Sequence, residues 1–313
     1  MDDNNINNDL QSPLVSICSI TYNHAPYIRQ CIDSFLMQKT NFKYEIIIHD
    51  DCSTDGTTEI IKEYADKYPN LIRPIYQKEN QYSKGVRGIF ANFVFPKAKG
   101  KYIAMCEGDD YWTDPLKLQK QVDFLEANPS FSMCFHYYDI YYQDKNSFTG
   151  IGPNLEVKEY AFDLEYYVML KWVTRTLTVL FKKDYLDIHY YLSFKYRIDA
   201  VLFYCLLKKG DAFLMADNMG VYRVHCGGVW SSSSRLKGIV NNLRIFKNIY
   251  DVDKCLNSAA LIKNWLCING YLGISFFSNN IYLYMNCLYA IFKEYGLKET
   301  LYVMYRTLNY FKR

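Results

Sequence analysis

The sequence lacks several features that would fix its class at once. Its ten cysteines include no Cys-x-x-Cys pair, so we expect reduced thiols rather than a zinc site or a disulfide framework. No run of about 18 residues is free of polar side chains, and the polar first residues lack the apolar core of a signal peptide. The chain is therefore predicted to be cytoplasmic.

Glycine-rich phosphate-binding motifs are also absent. No Gly-x-Gly-x-x-Gly follows the first apolar run, and no Gly-x-x-x-x-Gly-Lys-Ser/Thr occurs anywhere. The usual dinucleotide and P-loop modes of phosphate binding are thus unsupported, so bound phosphate would need a metal ion for its positive charge. The net charge of +3 gives no argument for a nucleic-acid partner, and none is predicted.

What the sequence does contain is an alternation of apolar and amphipathic segments. Leu14–Ile20, Tyr44–His49 and Tyr102–Cys106 are apolar runs typical of strands buried on both faces, with helix-like segments between them. This alternation predicts an α/β fold with a mixed, mostly parallel sheet flanked by helices. In such sheets ligands bind beyond the carboxyl ends of the strands, so the polar loops after these runs should meet at one edge.

Further elements follow from the same patterns. Helices are predicted at Pro26–Met37, Thr58–Tyr68, Gly85–Phe95, Asp114–Ala127 and Asp199–Gly210, and strands at Leu71–Tyr76, Phe131–Tyr137 and Thr174–Phe181. Asp114 is the expected N-cap of its helix, with Pro115 at the first helical position. The polar segment 143–160 is predicted as a loop, either a lid beside an acceptor site or a passive connector.

The acidic loop Glu107-Gly-Asp-Asp110 follows its apolar run directly. Carboxylates this close repel one another, so a metal-free site would hold unfavourable charge or raised pKa values. A hard divalent cation, Mg²⁺ or Mn²⁺, removes that repulsion through oxygen ligands and keeps positions open for substrate phosphates. The alternative is a solvated acidic turn that binds nothing.

Three motifs in order carry a family resemblance: Val15-Ser-Ile-Cys-Ser-Ile-Thr-Tyr-Asn23, Glu45-Ile-Ile-Ile-His-Asp-Asp-Cys-Ser-Thr-Asp-Gly-Thr57 and Gly100-Lys-Tyr-Ile-Ala-Met-Cys-Glu-Gly-Asp-Asp-Tyr-Trp112. Over residues 13–230 the chain resembles the family 2 glycosyltransferases of the GT-A fold. The resemblance implies a UDP- or GDP-sugar donor, a divalent metal and, usually, inversion at the sugar carbon. It also implies a glycan or lipid-linked acceptor in bacterial surface polysaccharide synthesis.

The resemblance assigns residues as well. The loops after the first two strands would hold the base and ribose, which places donor binding at Thr21, Tyr22, Asn23, Asp50, Asp51 and Ser53. The family's Asp-x-Asp position is Glu107-Gly-Asp109 here, and the change to glutamate puts the first position in doubt. Asp109 is then the principal metal ligand with Asp110 in support, and Glu107 contacts the donor through water or the ribose.

Two later segments complete the expected site. Asp199 begins an apolar helix, where the residues alone predict an N-cap and the resemblance implies the general base. A lone histidine near a strand end is more often structural, but the resemblance makes His225 a metal or diphosphate contact. Arg223 is then a phosphate contact or a structural ion-pair partner. Trp230 stacks on a sugar or simply packs.

The predicted organisation is a disordered tail at 1–12, a GT-A-like domain at 13–234 and a helical C-terminal appendage at 235–313. The appendage is rich in aromatic and basic residues, so it can lie on an anionic membrane at the inner face. The alternatives are a subdomain packed on the core and a homodimer contact.

The leading hypothesis is a metal-dependent, inverting, hexosyltransferase-like glycosyltransferase. Attack by a sugar hydroxyl needs a base, and departure of a nucleoside diphosphate needs charge neutralisation. A sugar nucleotidyltransferase would normally carry a glycine-rich basic loop after the first strand, where this chain has Thr21-Tyr-Asn-His24. A catalytically inactive nucleotide-sugar-binding protein is the other alternative, and the joint presence of Asp109, Asp110 and Asp199 argues against it.

Overall fold

The computed structural model describes residues 12–150, 157–170 and 175–228, together with short separate stretches between 244 and 305. Ten strands in this part of the chain form one mixed sheet. The strands are β1 (Val15–Thr21), β2 (Tyr44–Asp50), β3 (Ile72–Tyr76), β4 (Tyr102–Met105), β5 (Tyr111–Trp112), β6 (Phe131–Tyr142), β7 (Ser147–Thr149), β8 (Tyr160–Phe162), β9 (Leu180–Lys182) and β10 (Asp211–Val224).

The helices lie between these strands. They are α1 (Ile28–Leu36), α2 (Thr57–Lys67), α3 (Lys117–Ala127), α4 (Leu164–Leu170), α5 (Ile188–Ser193) and α6 (Asp199–Leu207). A π-helical turn (Phe90–Val94) runs into a 3₁₀ turn (Phe95–Lys97), and further 3₁₀ turns are Gln143–Lys145, Thr176–Thr178 and Lys183–Tyr185.

The sheet order is β3-β2-β1-β4-β9-β6-β10-β5, with β7 beside β6 and β8 beside β10. Strands β3, β2, β1 and β4 are parallel to one another, and β9 is antiparallel to both β4 and β6. Strand β10 is parallel to β6. The long strands therefore share one direction, which confirms the predicted mixed, mostly parallel α/β sheet. Their carboxyl ends lie at one edge, as the sequence predicted.

Both faces of the sheet are covered. On β2, Ile46 and Ile48 pack in one apolar cluster with residues of α1 and α3, because alternate side chains of a strand point to opposite faces. Ile47 belongs to the cluster on the other face, which includes α6 and the turns at 90–97. This two-sided burial fixes the strand ends, and so the loops that follow them, on a rigid support.

Several predicted boundaries are wrong. The helix expected at Gly85–Phe95 is confined to the short turns from Phe90 onward, since Gly88 has a φ of +73° that a helix cannot continue through. Helix α3 begins at Lys117 rather than Asp114. The Asp114 carboxylate accepts from the N–H of Leu116 at 2.8 Å, ahead of the helix.

The second half also departs from the sequence prediction. The strand expected at Thr174–Phe181 is a 3₁₀ turn followed by the short β9, and residue 174 lies outside the described residues. Strand β6 continues to Tyr142 rather than ending at Tyr137. The segment predicted as a loop from residue 143 contains β7, which pairs with the end of β6.

Described residues of the C-terminal region contact α5 and α6. Asp253 accepts the hydroxyls of Tyr190 and Tyr204 at 2.8 and 2.7 Å and pairs with Lys208. Ile249 is buried beside them. Nowhere in the described ranges does a helix have the length and apolar character needed to cross a membrane. The predicted tail, apart from residue 12, lies outside the described residues, and the domain boundaries stay a prediction.

Candidate active site

The loops after β1 and β2 are joined by their own hydrogen bonds. Thr21 pairs with Asp50 at the ends of the two strands. Beyond them, the Asn23 N–H donates to Ser53 Oγ at 2.9 Å, and the Thr54 N–H donates to Asn23 Oδ1 at 2.9 Å. Asn23 has a φ of +55°, a left-handed conformation that asparagine tolerates better than most residues. The two loops thus form one unit.

Asp50 and Asp51 are buried at the base of this unit. Asp50 accepts hydrogen bonds from the backbone N–H and hydroxyl of Ser53, at 3.1 and 2.5 Å, and from the Thr58 hydroxyl. Asp51 accepts from the N–H groups of Gln81 and Tyr82 at 2.8 and 3.0 Å. Both carboxylates therefore help to fix the shape of the loops around them.

Tyr22 projects from the same unit with 44% of its surface exposed. Tyr22 directly precedes Asn23, which bonds to Ser53, and both of these polar residues are only partly buried. An exposed aromatic ring beside polar side chains is a suitable surface for a nucleotide base.

The acidic loop lies directly against the β1 loop. The Gly108 N–H donates to the carbonyl of Ile20 at 3.0 Å. A Cβ atom at this position would lie 2.7 Å from Thr21 Oγ1, so the close approach requires glycine. This contact brings the carboxylates on either side of Gly108 next to the loop after β1.

Three carboxylates converge around Gly108 with different partners. Oδ2 of Asp109 lies 3.0 Å from Nε2 of His225 and 3.8 Å from Nε2 of His24. Glu107 accepts from the Thr176 hydroxyl at 2.8 Å. Oδ1 of Asp110 accepts from the Arg223 N–H at 2.8 Å, whereas its buried Oδ2 has no hydrogen-bond partner.

The pKa values show the strain that the sequence predicted. Burial, and then the charge of Asp109, raise the pKa of Glu107 to about 7. The same two causes, with Glu107 added, raise the pKa of Asp110 well above its ordinary value. For Asp109 burial acts in the raising direction, but hydrogen bonding to His225 and the nearby His24 hold its pKa below the ordinary value. Burial and mutual repulsion therefore disfavour the ionised forms of Glu107 and Asp110 more than that of Asp109.

These residues fit a divalent cation. One oxygen from each of Glu107, Asp109 and Asp110 lies within 4.8 Å of the others. The buried Asp110 Oδ2 without a partner is a ligand atom that a cation would satisfy. A cation would also favour the ionised forms of Glu107 and Asp110.

Arg223 holds the acidic loop in place. Its Nε donates to the carbonyl of Asp109 at 2.8 Å, and its terminal nitrogens donate to Gln143 and Gln30 at 2.5 Å each. The guanidinium carbon also lies 4.9 Å from the ring centroid of Tyr27. Of the two roles that the sequence left open for Arg223, these contacts favour the structural one, with neutral oxygens as the partners in place of an ion pair.

Asp199 is the first residue of helix α6. Its Oδ1 accepts from the Ala200 N–H at 2.8 Å. Burial raises the pKa of Asp199, against the opposing effects of the Ala200 N–H and the charge of Arg175. The charge of Asp199 in turn contributes to the raised pKa of Glu107, so the two carboxylates lie near enough to interact.

Sequence reasoning missed two residues here. Arg175 donates from Nε to the Tyr138 hydroxyl at 3.3 Å and lies 4.7 Å from the ring centroid of Tyr222. Its signal was a lone cation before an apolar segment. His24 belongs to a loop that was expected at the site, but the resemblance motif stops at Asn23. Trp230 lies outside the described residues.

The family model of glycosyl transferase family 2 matches residues 16–185. The chain belongs to glycosyl transferase family 2. This match covers more than half of the chain, and it contains β1, β2 and the acidic loop. The sequence prediction of its family is thus confirmed.

Two relatives illustrate the similarity of this family 2 glycosyltransferase to other proteins. An uncharacterised protein of Mycobacterium tuberculosis, Rv1520, is 36% identical over 230 residues, which are 70% of this chain and 61% of the relative. The chain thus matches less than two thirds of that relative. The E. coli UDP-Glc:alpha-D-GlcNAc-diphosphoundecaprenol beta-1,3-glucosyltransferase WfaP is 32% identical over 244 residues, 75% of this chain and 86% of WfaP.

Solved structures share the fold of this family 2 glycosyltransferase. A fragment of S. aureus TarS in complex with UDP-GlcNAc has a TM-score of 0.61 at 18% identity, over 90% of this chain and 81% of the fragment. The mannosyltransferase PcManGT of Pyrobaculum calidifontis, in complex with GDP-Man and Mn²⁺, has a TM-score of 0.54 at 16% identity. The match covers 95% of this chain and 80% of PcManGT. At these identities the likeness establishes the GT-A fold alone.

Proposed function

We propose that the protein is a metal-dependent, inverting glycosyltransferase of surface polysaccharide synthesis. It would move a sugar from a nucleotide-sugar donor to a glycan or lipid-linked acceptor. The observation that carries this proposal is the proximity of three segments: the β1–β2 loop unit contacts the acidic loop, and the start of α6 lies near enough for the charge of Asp199 to raise the pKa of Glu107. A donor, its diphosphate and an acceptor hydroxyl need three such groups of side chains.

The nucleotide would bind at the β1–β2 loop unit. Tyr22 is exposed and Asn23 and Ser53 are partly buried on this unit, Thr21 is buried beneath them, and Asp50 and Asp51 hold its shape. The named complexes of TarS and PcManGT contain UDP-GlcNAc and GDP-Man, which supports a UDP- or GDP-sugar as the donor here.

Asp109, with Asp110, Glu107 and His225 around it, would hold Mg²⁺ or Mn²⁺. When bound, the cation supplies positive charge that stabilises a departing nucleoside diphosphate. The chain contributes the orientation: Arg223 fixes the backbone of Asp109, and Thr176 fixes the carboxylate of Glu107. The Mn²⁺ in the PcManGT complex supports this assignment.

Asp199 would act as the general base toward the acceptor hydroxyl. A single positioned base on the face opposite the leaving group gives inversion at the sugar carbon. A pKa raised by burial brings the carboxylate closer to the operating pH, which improves proton abstraction. The Ala200 N–H and the charge of Arg175 act in the opposite direction and favour the ionised form.

The acceptor side has a second supporting feature in the C-terminal region. Large apolar side chains there are exposed, beside the exposed Lys293 and Lys298: Tyr289, Phe292, Leu297 and Leu301. Apolar and cationic side chains together suit an anionic membrane surface, where a lipid-linked acceptor would be held at the inner face.

Flotation with anionic liposomes tests this membrane contact, since Phe292→Glu should abolish binding to the liposomes. Unchanged flotation, or self-association of the wild type at this surface, would contradict it.

Release of nucleoside diphosphate tests the main proposal. UDP- and GDP-sugars are offered with Mn²⁺ or Mg²⁺ and candidate acceptors, for the wild type, for Asp109→Asn and for the exposed control Asp123→Asn. We expect metal-dependent release in the wild type and the control, and none with Asp109→Asn. Tight donor binding without turnover on any acceptor would favour an inactive binding protein.

A further inference from the structure

Asp109 has a histidine on each side of the same oxygen. Nε2 of His225 and Nε2 of His24 lie 3.0 and 3.8 Å from Asp109 Oδ2. The three ligand atoms all lie within 4.8 Å of one another, and the two imidazole rings meet edge to face. His24 lies in the loop after β1 and His225 directly follows β10, so the pair exists only because the sheet brings these strand ends together.

We propose that His24 is a metal ligand together with Asp109 and His225, and that this pair of imidazoles makes the site prefer Mn²⁺ over Mg²⁺. The inference rests on the proposed metal-dependent function and deepens it. Imidazole nitrogen binds divalent transition-metal ions, of which Mn²⁺ is the weakest binder, whereas Mg²⁺ strongly prefers oxygen and accepts imidazole less readily than Mn²⁺ does. Two nitrogens and one carboxylate oxygen therefore discriminate between cations that an all-carboxylate site would treat more alike.

The spacing of the three atoms suits a shared ion. Ligand atoms about 2.1 Å from one metal lie about 3 Å apart when they are at right angles, and farther apart at wider angles. The separations of 3.0 and 3.8 Å from Asp109 Oδ2 fall in this range. Ligation requires only that the His225 Nε2 nitrogen present its lone pair, with the ring proton on Nδ1.

The position of His24 is built rather than incidental. Its backbone N–H donates to Thr57 Oγ1 at 2.8 Å, which ties the residue to the start of α2. Its Nδ1 is buried and lies against Gly108, on the same side as Thr21 Oγ1. Neither of these atoms has a hydrogen-bond partner in the described structure, and a cation bound at Nε2 would leave the ring proton on Nδ1.

The competing set is Glu107, Asp109 and Asp110, which shares only Asp109 with the histidine set. Glu107 already accepts from the Thr176 hydroxyl and Asp110 from the Arg223 N–H. If the carboxylate set alone held the ion, His24 would not affect which cation binds. The two sets therefore predict opposite results for one substitution.

Mn²⁺ binding measured by electron paramagnetic resonance decides between them. The purified full chain is titrated with Mn²⁺ alone, and bound Mn²⁺ is then displaced with Mg²⁺. We expect His24→Ala to weaken Mn²⁺ binding by about tenfold or more, while the Mg²⁺ affinity changes little. The control His189→Ala removes an exposed imidazole on α5 and should leave both affinities unchanged.

A measurement on the wild type alone guards against a variant that fails to fold. Electron spin-echo modulation of bound Mn²⁺ should show coupling to imidazole nitrogen, and His24→Ala should reduce its depth. The inference is overturned if nitrogen coupling is absent, if no Mn²⁺ binds, or if His24→Ala lowers both affinities equally or neither. No sugar donor is present, so failure of glycosyl transfer would count against the proposed function and not against this result.

Discussion

The β1–β2 loop unit and the acidic loop are in contact, but they differ in how their buried polar groups are hydrogen-bonded. Around Asp50 and Asp51, neighbouring N–H and hydroxyl groups take up the carboxylate oxygens. Around Asp109, an Asp110 oxygen, the Thr21 hydroxyl and a His24 nitrogen are buried without hydrogen-bond partners in the described structure. Burial and mutual repulsion also raise the pKa values of Glu107 and Asp110.

This difference separates scaffold from binding site. Buried polar groups without partners are costly, and native proteins keep few of them. Carboxylates that the protein itself satisfies build the shape of a loop and add rigidity. Carboxylates that crowd one another repel each other, and a bound cation can offset that repulsion. The five acidic residues that the resemblance assigned to the site in these loops thus divide into two physical classes: Asp50 and Asp51 in one, and Glu107, Asp109 and Asp110 in the other.

The largest effect should come from removing the ionised carboxylate of the acidic loop. Asp109→Asn should lower the rate of transfer by at least about 10³-fold, because metal stabilisation of a leaving group contributes several kcal/mol. Steady-state release of nucleoside diphosphate measures this, with Asp123→Asn as the control. Loss of activity with an unchanged metal affinity would contradict the account.

Asp199→Asn should have the next largest effect. Loss of a positioned base should reduce kcat by roughly 10²–10³-fold while donor and metal affinity stay unchanged. Transfer assays, paired with calorimetric titration of the nucleoside diphosphate and Mn²⁺, measure both quantities. If transfer survives, Asp199 is only the first residue of α6 and the base lies elsewhere.

On the scaffold side, Asp51→Ala should act on stability. It strands the N–H groups of Gln81 and Tyr82, so the free energy of unfolding should fall by about 1–3 kcal/mol. Denaturant titration without metal measures this. Mn²⁺ affinity should stay close to that of the wild type, and a large loss of it would erase the distinction between the two loops.

The pH dependence of stability should show the smallest effect. The raised pKa of Glu107 means that the folded chain keeps a proton which the unfolded chain releases above its ordinary value of 4.5. The unfolding free energy should therefore fall as pH rises from about 4.5 to about 7, by on the order of 1 kcal/mol. Glu107→Gln should reduce this decline in metal-free protein. An equal decline in the variant would show that Glu107 titrates normally.

The sequence predicted the parts of this arrangement that depend on local pattern. The buried runs that became β1, β2 and β4 are apolar on both faces, so their position in a parallel sheet followed from composition alone. Because parallel strand ends share an edge, the meeting of Asp109 with the β1–β2 loops also followed. The contact between Asp109 and His225 was expected only through the resemblance.

Long-range contacts set the parts that the sequence did not predict. Residues 176–178 have the composition of a strand, but Trp112 Nε1 donates to the Leu177 carbonyl at 2.8 Å and Gln121 donates to the Thr178 carbonyl at 3.0 Å. These hydrogen bonds hold the segment in a 3₁₀ turn, and Arg175 directly precedes that turn. His24 was missed for a related reason, since its neighbours on β10 are distant in the chain.

Anomalous diffraction from crystals soaked with Mn²⁺ and a nucleoside diphosphate tests the central claim most directly. The account predicts one Mn²⁺ peak within coordinating distance of the Asp109 carboxylate, between the β1–β2 loop unit and Asp199, with diphosphate oxygens completing its ligands. A nucleotide bound without any peak at Asp109, or Mn²⁺ bound elsewhere in the molecule, would contradict it.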